Sequence, residues 1–513
     1  METATELSLR RENVLTATKL LDTMQEQSVE LDYVLPDYQP DFFRLLACTA
    51  DPTITRYELQ GGMLVLSLGV KITVWYLAEG TPLIQVITQK LDYQKQIPWN
   101  SELTLQDVRL HLATEPSYIN CRAVNSRRID IRGAVRIRLS ACAAVQKQVL
   151  SGISGLHTQA RTTPVQYVSE ILRSQKRCTV SEDFAIPASQ PPMLSVLREQ
   201  LAVKITETRS IAGKLIVKGE IGVSVLYTTA GGGVETLVFT LPLSQILEPD
   251  GLSDEMPCSV NGVITEYLMT PQAEQNGDFC KLHLDIQLLF SCEAMRCNSA
   301  ELVTDVYSTV HPVTAQSETV PLLTAPIPVQ ERLSSNITVT QPDTILTKVY
   351  TAWCTGSEFL CAEDENNSPI LQGTLHCNIL AADAEGMPLL LTRSETISLP
   401  CNAVVTEPDV TVQNCSYTLT AADTVLLQAE LLLHGNQQSA ADTELLTDIQ
   451  ADADTRLQAE DSYALRLYFA QATESLWEIA KRYHTAATAI MEENDCRDDI
   501  LTEPQMLLIP IVR

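Results

Sequence analysis

From Leu64 to Tyr76, thirteen residues carry an apolar side chain at every even position, with no proline among them. Leu215 to Tyr227 follows the same alternation at odd positions, interleaved with Lys218 and Glu220. A period of two means extended chain with one face buried and one wet. Runs this long exceed an ordinary strand, so each is one long strand or two joined at a bulge. Such strands must bury their apolar face against another sheet.

The two runs are copies of each other. At a shift of 151, Pro36, Pro40, Leu46, Thr55, Gly62, Leu64, Val74 and Tyr76 fall on Pro187, Pro191, Leu197, Thr206, Gly213, Leu215, Val225 and Tyr227, without a gap. A third copy is weaker. At a shift of 154, Gly219, Val225 and Leu226 fall on Gly373, Ile379 and Leu380, and Tyr227 becomes Ala381. The period is far longer than that of a solenoid repeat, so each copy is expected to be a whole domain. Ile129–Leu139 and Leu282–Leu288 supply further alternating strands. Ala78–Gly80 and Gly231–Gly233 read as hairpin tips. The fold class expected is mainly β: three tandem antiparallel β-sandwich-like domains over 1–157, 158–310 and 311–457, then a small βααβ domain over 458–513. The Pro-x-x-x-Pro segments read as lead-in loops, with a short helical turn over Asp41–Leu46. Val320–Pro328 reads as a semi-rigid linker, and Asp442–Asp461 as an acidic spacer before the last domain.

Lys and Arg number 36 against 64 Asp and Glu, a net charge of −28. That repels phosphate backbones and anionic lipid surfaces, so neither nucleic acid nor a membrane surface is an expected partner. No apolar run is long enough for a membrane-spanning helix. Met1–Glu6 has no basic region leading into an apolar core, so no secretory signal is expected. The fourteen cysteines contain no Cys-x-x-Cys, and the closest pairs, Cys292 with Cys297 and Cys354 with Cys361, have no histidine at ligand spacing beside them. They are expected to be reduced, buried and metal-free.

No enzyme constellation is present: no His-Glu-x-x-His, Gly-x-Ser-x-Gly, Walker loop or dinucleotide fingerprint. His111, His283, His376 and His434 fall within strand-like runs, where a structural role is the simpler reading. Glu363–Glu365 and Asp498–Asp499 lack the ligand alternation and turn glycine of a calcium loop. The expectation is a non-enzymatic protein without cofactor.

The C-terminal segment has a different pattern. Leu465–Phe469 reads as a strand. Leu476, Ile479, Ala480 and Tyr483 recur at helical spacing after Ser475, whose spacing to Glu478 is that of a capping box. Thr485 is placed to cap a second helix carrying Ile490 and Met491 inward, up to Asn494. Leu507–Val512 closes the sheet. This order and these residues resemble a LysM module. In LysM domains glycans bind between the loop that opens the first helix and the loop that leads into the last strand. The resemblance therefore implies a site at Thr473, Glu474, Ser475, Leu476 and Trp477, together with Ile500, Leu501 and Gln505. Trp477 is either core or an exposed anchor. The chain departs from the family at both loops. Gly-Asp-Thr-Leu reads Thr473-Glu474-Ser475-Leu476, and Pro-Gly-Gln reads Glu503-Pro504-Gln505. Loss of both glycines argues against close backbone approach by a sugar.

With the Gly213–Gly219 run, Val225–Tyr227 and Tyr468–Tyr483, the chain resembles clostridial proteins that join tandem β-domains to a LysM. The best-known of these are spore coat or envelope morphogenesis proteins. The resemblance implies a scaffold on the mother-cell side of the forespore surface, in the cytoplasm. Its LysM would tether the coat basement-layer ATPase, of the stage IV sporulation protein A type. The alternative is a cell-envelope protein that binds peptidoglycan or chitin oligomers.

Overall fold

The alternation becomes strand throughout. The structure is a computed structural model that describes residues 6–80, 83–273, 279–342, 344–437, 441–457 and 465–510. Among these, helix is confined to two seven-residue segments near the C-terminus. The first repeat consists of β1 (Ser8–Val34), β2 (Phe42–Gln60), β3 (Met63–Ala78), β4 (Ile84–Pro98), β5 (Val108–Asn125) and β6 (Arg128–Ser154). One sheet contains β1, β6 and β5; the other is β2-β3-β4. They pack face to face through Leu66, Leu68 and Ile72 of β3 and Ile129, Val135 and Ile137 of β6.

The second repeat has the same order: β7 (Thr158–Ala185), β8 (Met193–Ile211), β9 (Lys214–Thr229), β10 (Val234–Leu247), β11 (Cys258–Ala273) and β12 (Phe279–Ser308). In the third, β13 (Val313–Leu322) and β14 (Ile327–Thr340) together take the place of β1. They are followed by β15 (Lys348–Glu363), β16 (Pro369–Ala382), β17 (Pro388–Pro400) and β18 (Thr406–Ala421). Then β19 (Thr424–Gln437) and β20 (Ala441–Ala451) take the place of β6. Each of these repeats has its own apolar core. The chain is mainly β and antiparallel, as expected.

The residues that match between repeats have local reasons to do so. Gln39 N–H donates to the Pro36 carbonyl at 2.9 Å, and Gln190 N–H to Pro187 at 2.8 Å, so both proline segments are tight turns. The Tyr76 hydroxyl donates to the Pro40 carbonyl at 3.3 Å and the Tyr227 hydroxyl to Pro191 at 3.1 Å. Ala381 removes that tie from the third repeat. Thr55 and Thr206 are the extra residues of two β-bulges, each donating its hydroxyl across the ladder at 3.3 Å, to Ser67 and Lys218. The helical turn expected over Asp41–Leu46 is absent. Phe42 is buried edge-on against Tyr76, with ring centroids 4.6 Å apart, and its backbone already begins β2.

The outer strands overrun their sandwiches. β1 with β6, β7 with β12, and β13 with β20 leave the cores as three antiparallel ribbons that meet in a common hub. The hub is built of register-matched triads, one residue from each repeat. Val14, Val165 and Val320 pack with Val149, Leu302 and Leu445. Leu150, Val303 and Leu446 pack with Ile153, Val306 and Ile449. Each ribbon has a bulge at the same place, and the extra residue is hydroxylic each time. Ser151, Thr304 and Thr447 donate to the carbonyls of Arg10, Arg161 and Gln316, all at 3.3 Å. The repeats are thus related by threefold pseudosymmetry.

A second shared cluster lies at the hairpin ends, where Trp75, Leu226 and Leu380 meet Leu46, Leu197 and Tyr350. It buries the far end of β3 on both faces, although the sequence alternation there shows only one. Two expected spacers are corrected by the hub. The proline-rich run at 320–328 lies inside the third repeat, its ends belonging to β13 and β14 and only 323–326 joining them. The first part of the acidic run is β20, because Leu445, Leu446 and Ile449 are needed in the hub.

Candidate functional site: the C-terminal module and its dock

The last described segment folds as β21 (Leu465–Ala470), α1 (Leu476–Arg482), α2 (Ala487–Glu493) and β22 (Gln505–Pro510). β21 and β22 pair antiparallel, and both helices cover one face of this sheet. Residues 458–464 and 511–513, which carry the end of the acidic run and of the closing strand, lie outside the described residues. Leu476, Ile479, Ala480, Ile490, Leu507 and Ile509 form the core, with Tyr483 and Met491 packed against it.

The caps differ from expectation. Ser475 occupies the N-cap of α1, but its side chain does not cap; its hydroxyl donates to the Asp499 carboxylate at 2.9 Å. That same carboxylate accepts the Trp477 N–H at 2.8 Å, so Asp499 caps the helix from the opposite loop. The N-cap of α2 is Ala486, one residue beyond the expected Thr485. Thr485 is fully buried, and its carbonyl accepts a hydrogen bond from the second repeat. Asn494 ties α2 to β22, donating to the Ile490 and Leu508 carbonyls and accepting the Leu508 N–H.

The two loops implied as a glycan groove are joined by their own backbone. Thr473 N–H donates to Leu501 at 2.7 Å, Leu501 N–H to Glu474 at 3.0 Å, and Leu476 N–H to Asp499 at 2.7 Å. Thr473 adopts φ 74°, a left-handed conformation unfavourable for a β-branched residue. Glu474 accepts the Gln471 N–H and the Tyr468 hydroxyl, and these hydrogen bonds hold its carboxyl below the usual range. Leu476, Trp477 and Leu501 are buried; Thr473 and Ile500 are exposed; Gln505 lies half-buried on β22 beside Cys496.

Trp477 is core and anchor together. Its ring packs edge-on against Tyr307 of β12, centroids 4.9 Å apart, and Tyr307 belongs to the module's own apolar cluster. The Trp477 indole N–H donates to Asp305 at 2.8 Å, and Lys481 contacts both oxygens of the same carboxylate at 2.7 and 2.8 Å. The Tyr307 hydroxyl donates to the Thr485 carbonyl at 2.7 Å, and Arg161 pairs with Asp499 at 3.2 Å. Burial raises the Asp305 carboxyl, but the hydrogen bonds from Lys481, Trp477 and the Val306 N–H outweigh it and hold the group below the usual carboxylate range. The module is therefore docked helix-side down on the second repeat. Its sheet faces outward and presents Leu467, Phe469 and Met506, each more than half exposed, with Ile500 also exposed on the adjoining loop.

The two loops and two helices read from the sequence do lie together. The sequence pattern missed Asp305, Tyr307 and Arg161, which lie far away in the chain and carry no local pattern that marks a dock. Among the described residues no group of His, Cys, Asp and Glu is arranged to hold a metal ion, and no helix is long and apolar enough to cross a membrane.

Residues 192–269, from β8 into β11, match the family model described as SipL, SPOCS domain. This supports a sporulation protein similar to SipL, a family not known for catalysis. No curated protein and no solved structure matches the chain.

Proposed function

We propose that this protein is a non-enzymatic scaffold in assembly of the spore coat and envelope, working on the mother-cell side of the forespore surface. Its C-terminal module, read as a LysM, tethers a protein partner, the coat basement-layer ATPase of the stage IV sporulation protein A type. The observation that carries the reading is the SPOCS match at 192–269. The form of the module supports a protein partner over a sugar. Its loop amides are bonded to one another, and its outward sheet offers apolar side chains that suit a protein surface.

The test is co-purification of that ATPase with the full chain and with the Phe469→Asp/Met506→Asp variant, which leaves the helix-side core untouched. Binding by the parent and at least tenfold weaker binding by the variant are expected. Undiminished binding by the variant would remove the sheet face from the proposal. Absence of binding by the parent, combined with retention on chitin oligomers, would replace the whole reading by the glycan-binding one.

A further inference from the structure

The third repeat holds three thiols in contact. Cys354 of β15 lies 3.1 Å from Cys377 of β16 and 3.3 Å from Cys415 of β18, sulfur to sulfur. Cys354 and Cys377 are direct register partners in one sheet, and both are buried. Cys415 belongs to the other sheet and is half-buried. The Cys354–Cys415 contact therefore crosses the seam where β15 of one sheet lies beside β18 of the other, a seam also tied by the Tyr417 hydroxyl to the Tyr350 carbonyl at 3.2 Å. In the first repeat Cys48 of β2 and Cys121 of β5 are both half-buried against the sandwich core. The second repeat has no cysteine in β8; its pair, Cys258 and Cys292, lies within one sheet.

We propose that the β15/β18 seam is a disulfide-forming site, Cys354 with Cys415, which locks the third sandwich when the protein meets a low-molecular-weight disulfide. Three observations select this pair. A seam between sheets has no hydrogen-bond ladder to fix the spacing, so two thiols already in contact reach bonding distance by side-chain rotation. Cys377 is walled in on both sides and opposes Cys354 across a rigid ladder, which disfavours the alternative bond. Cys415 is the member of the trio that an oxidant can reach. Contact with Cys354 holds the Cys415 thiol below the usual range, and contact with Cys377 and Cys415, together with burial, raises Cys354.

The chemistry balances in two exchanges. The Cys415 thiolate attacks one sulfur of the small disulfide, forming a mixed disulfide and expelling one small thiolate. Cys354 then gives up its proton to the expelled thiolate and attacks the Cys415 sulfur, forming the seam disulfide and expelling the second small thiolate. Two protein thiols are oxidised, and one small disulfide is reduced to two small thiols once the second thiolate takes a proton from water.

The test uses the full-length reduced protein incubated with oxidised glutathione, followed by thiol titration and peptide mapping without reduction. Two of the fourteen thiols should be lost, linked as 354–415. Cys415→Ser should abolish the link while keeping the circular dichroism of the parent, which checks that the variant is folded. The proposal is overturned if the folded protein keeps all its thiols, if glutathione stays on Cys415 without resolution, or if the links found are 354–377 or 258–292. Because partner binding is not the readout, the result is independent of the assignment to spore assembly.

Discussion

Asp305→Ala isolates the dock from the fold of the module. The substitution removes the acceptor of the Trp477 indole N–H, in a side chain only 8% exposed, and the counter-charge of Lys481. Leaving a buried indole N–H unpaired costs about 1–3 kcal/mol. The Asp305–Lys481 pair is partly exposed on both sides, so its Coulomb part adds at most about 1 kcal/mol. Together the dock should weaken by about 1–4 kcal/mol, roughly 5- to 1,000-fold in its opening equilibrium. Neither helix nor the β21–β22 ladder includes Asp305, so the module should stay folded while it lifts.

Hydrogen exchange by mass spectrometry reads this directly. Amides in α1 and in the 499–501 loop should lose protection, while those of β3 and β9 keep theirs. Asp305→Asn retains an acceptor for the indole and should fall between parent and alanine variant. The pH dependence has a definite sign. A carboxyl held below its free value stabilises the dock above the free value, about pH 3.9. That stability is lost as pH falls through the lower, docked value. After correction for intrinsic exchange, protection should be flat from pH 7 to about 5 and should fall only below about 4. Protection unchanged within threefold in Asp305→Ala at pH 7, with the same circular dichroism, would refute the geometry of the dock.

The hub and the loops give two further expectations. Leu302→Ala removes a fully buried side chain shared by all three ribbons; it should cost about 2–5 kcal/mol and raise exchange in β1, β12 and β20 together, not in the second repeat alone. Thr473→Gly relieves a left-handed β-branched residue, worth about 1–2 kcal/mol, against a smaller gain in unfolded-chain freedom. The net effect should be a module about 0.5–1 kcal/mol more stable, read as slower exchange in α1.

What was legible in the sequence follows the range of the forces involved. Period-two alternation is a local consequence of strand geometry, so β3, β9 and the first half of β6 could be read off directly. The lead-in turns and the threonine bulges recur because each solves a local backbone problem, and the 151-residue shift exposes them. The β-helix-helix-β order of the tail is likewise local. The dock is not: Asp305 and Tyr307 sit on an alternating strand whose outward residues look like any wet face until Trp477 is placed over them. The caps fail for the same reason. Ser475 has the spacing of a capping box, but Asp499 arrives from the opposite loop with a full charge and takes the helix N-terminus, leaving the Ser475 hydroxyl to donate to it.

The third repeat shows why a faint copy in sequence need not be a faint copy in structure. Its divergence is concentrated where the first two repeats spend residues on their own sandwiches. Ala381 gives up the hydroxyl tie to the lead-in, and the long first strand is broken at 323–326. At the hub it departs little: Val320 stands with Val14 and Val165, Leu446 with Leu150 and Val303, and Thr447 repeats the bulge hydrogen bond of Ser151 and Thr304. A sandwich can change loops and lose one tie while its own core stays filled. A hub position has no such freedom, because each residue fills space against two other repeats at once, and a lost methyl there opens a cavity that none of the three can close alone. The constraint that makes these sequences one protein is therefore strongest at the ribbons, which lie outside the segments where the repeats align most visibly.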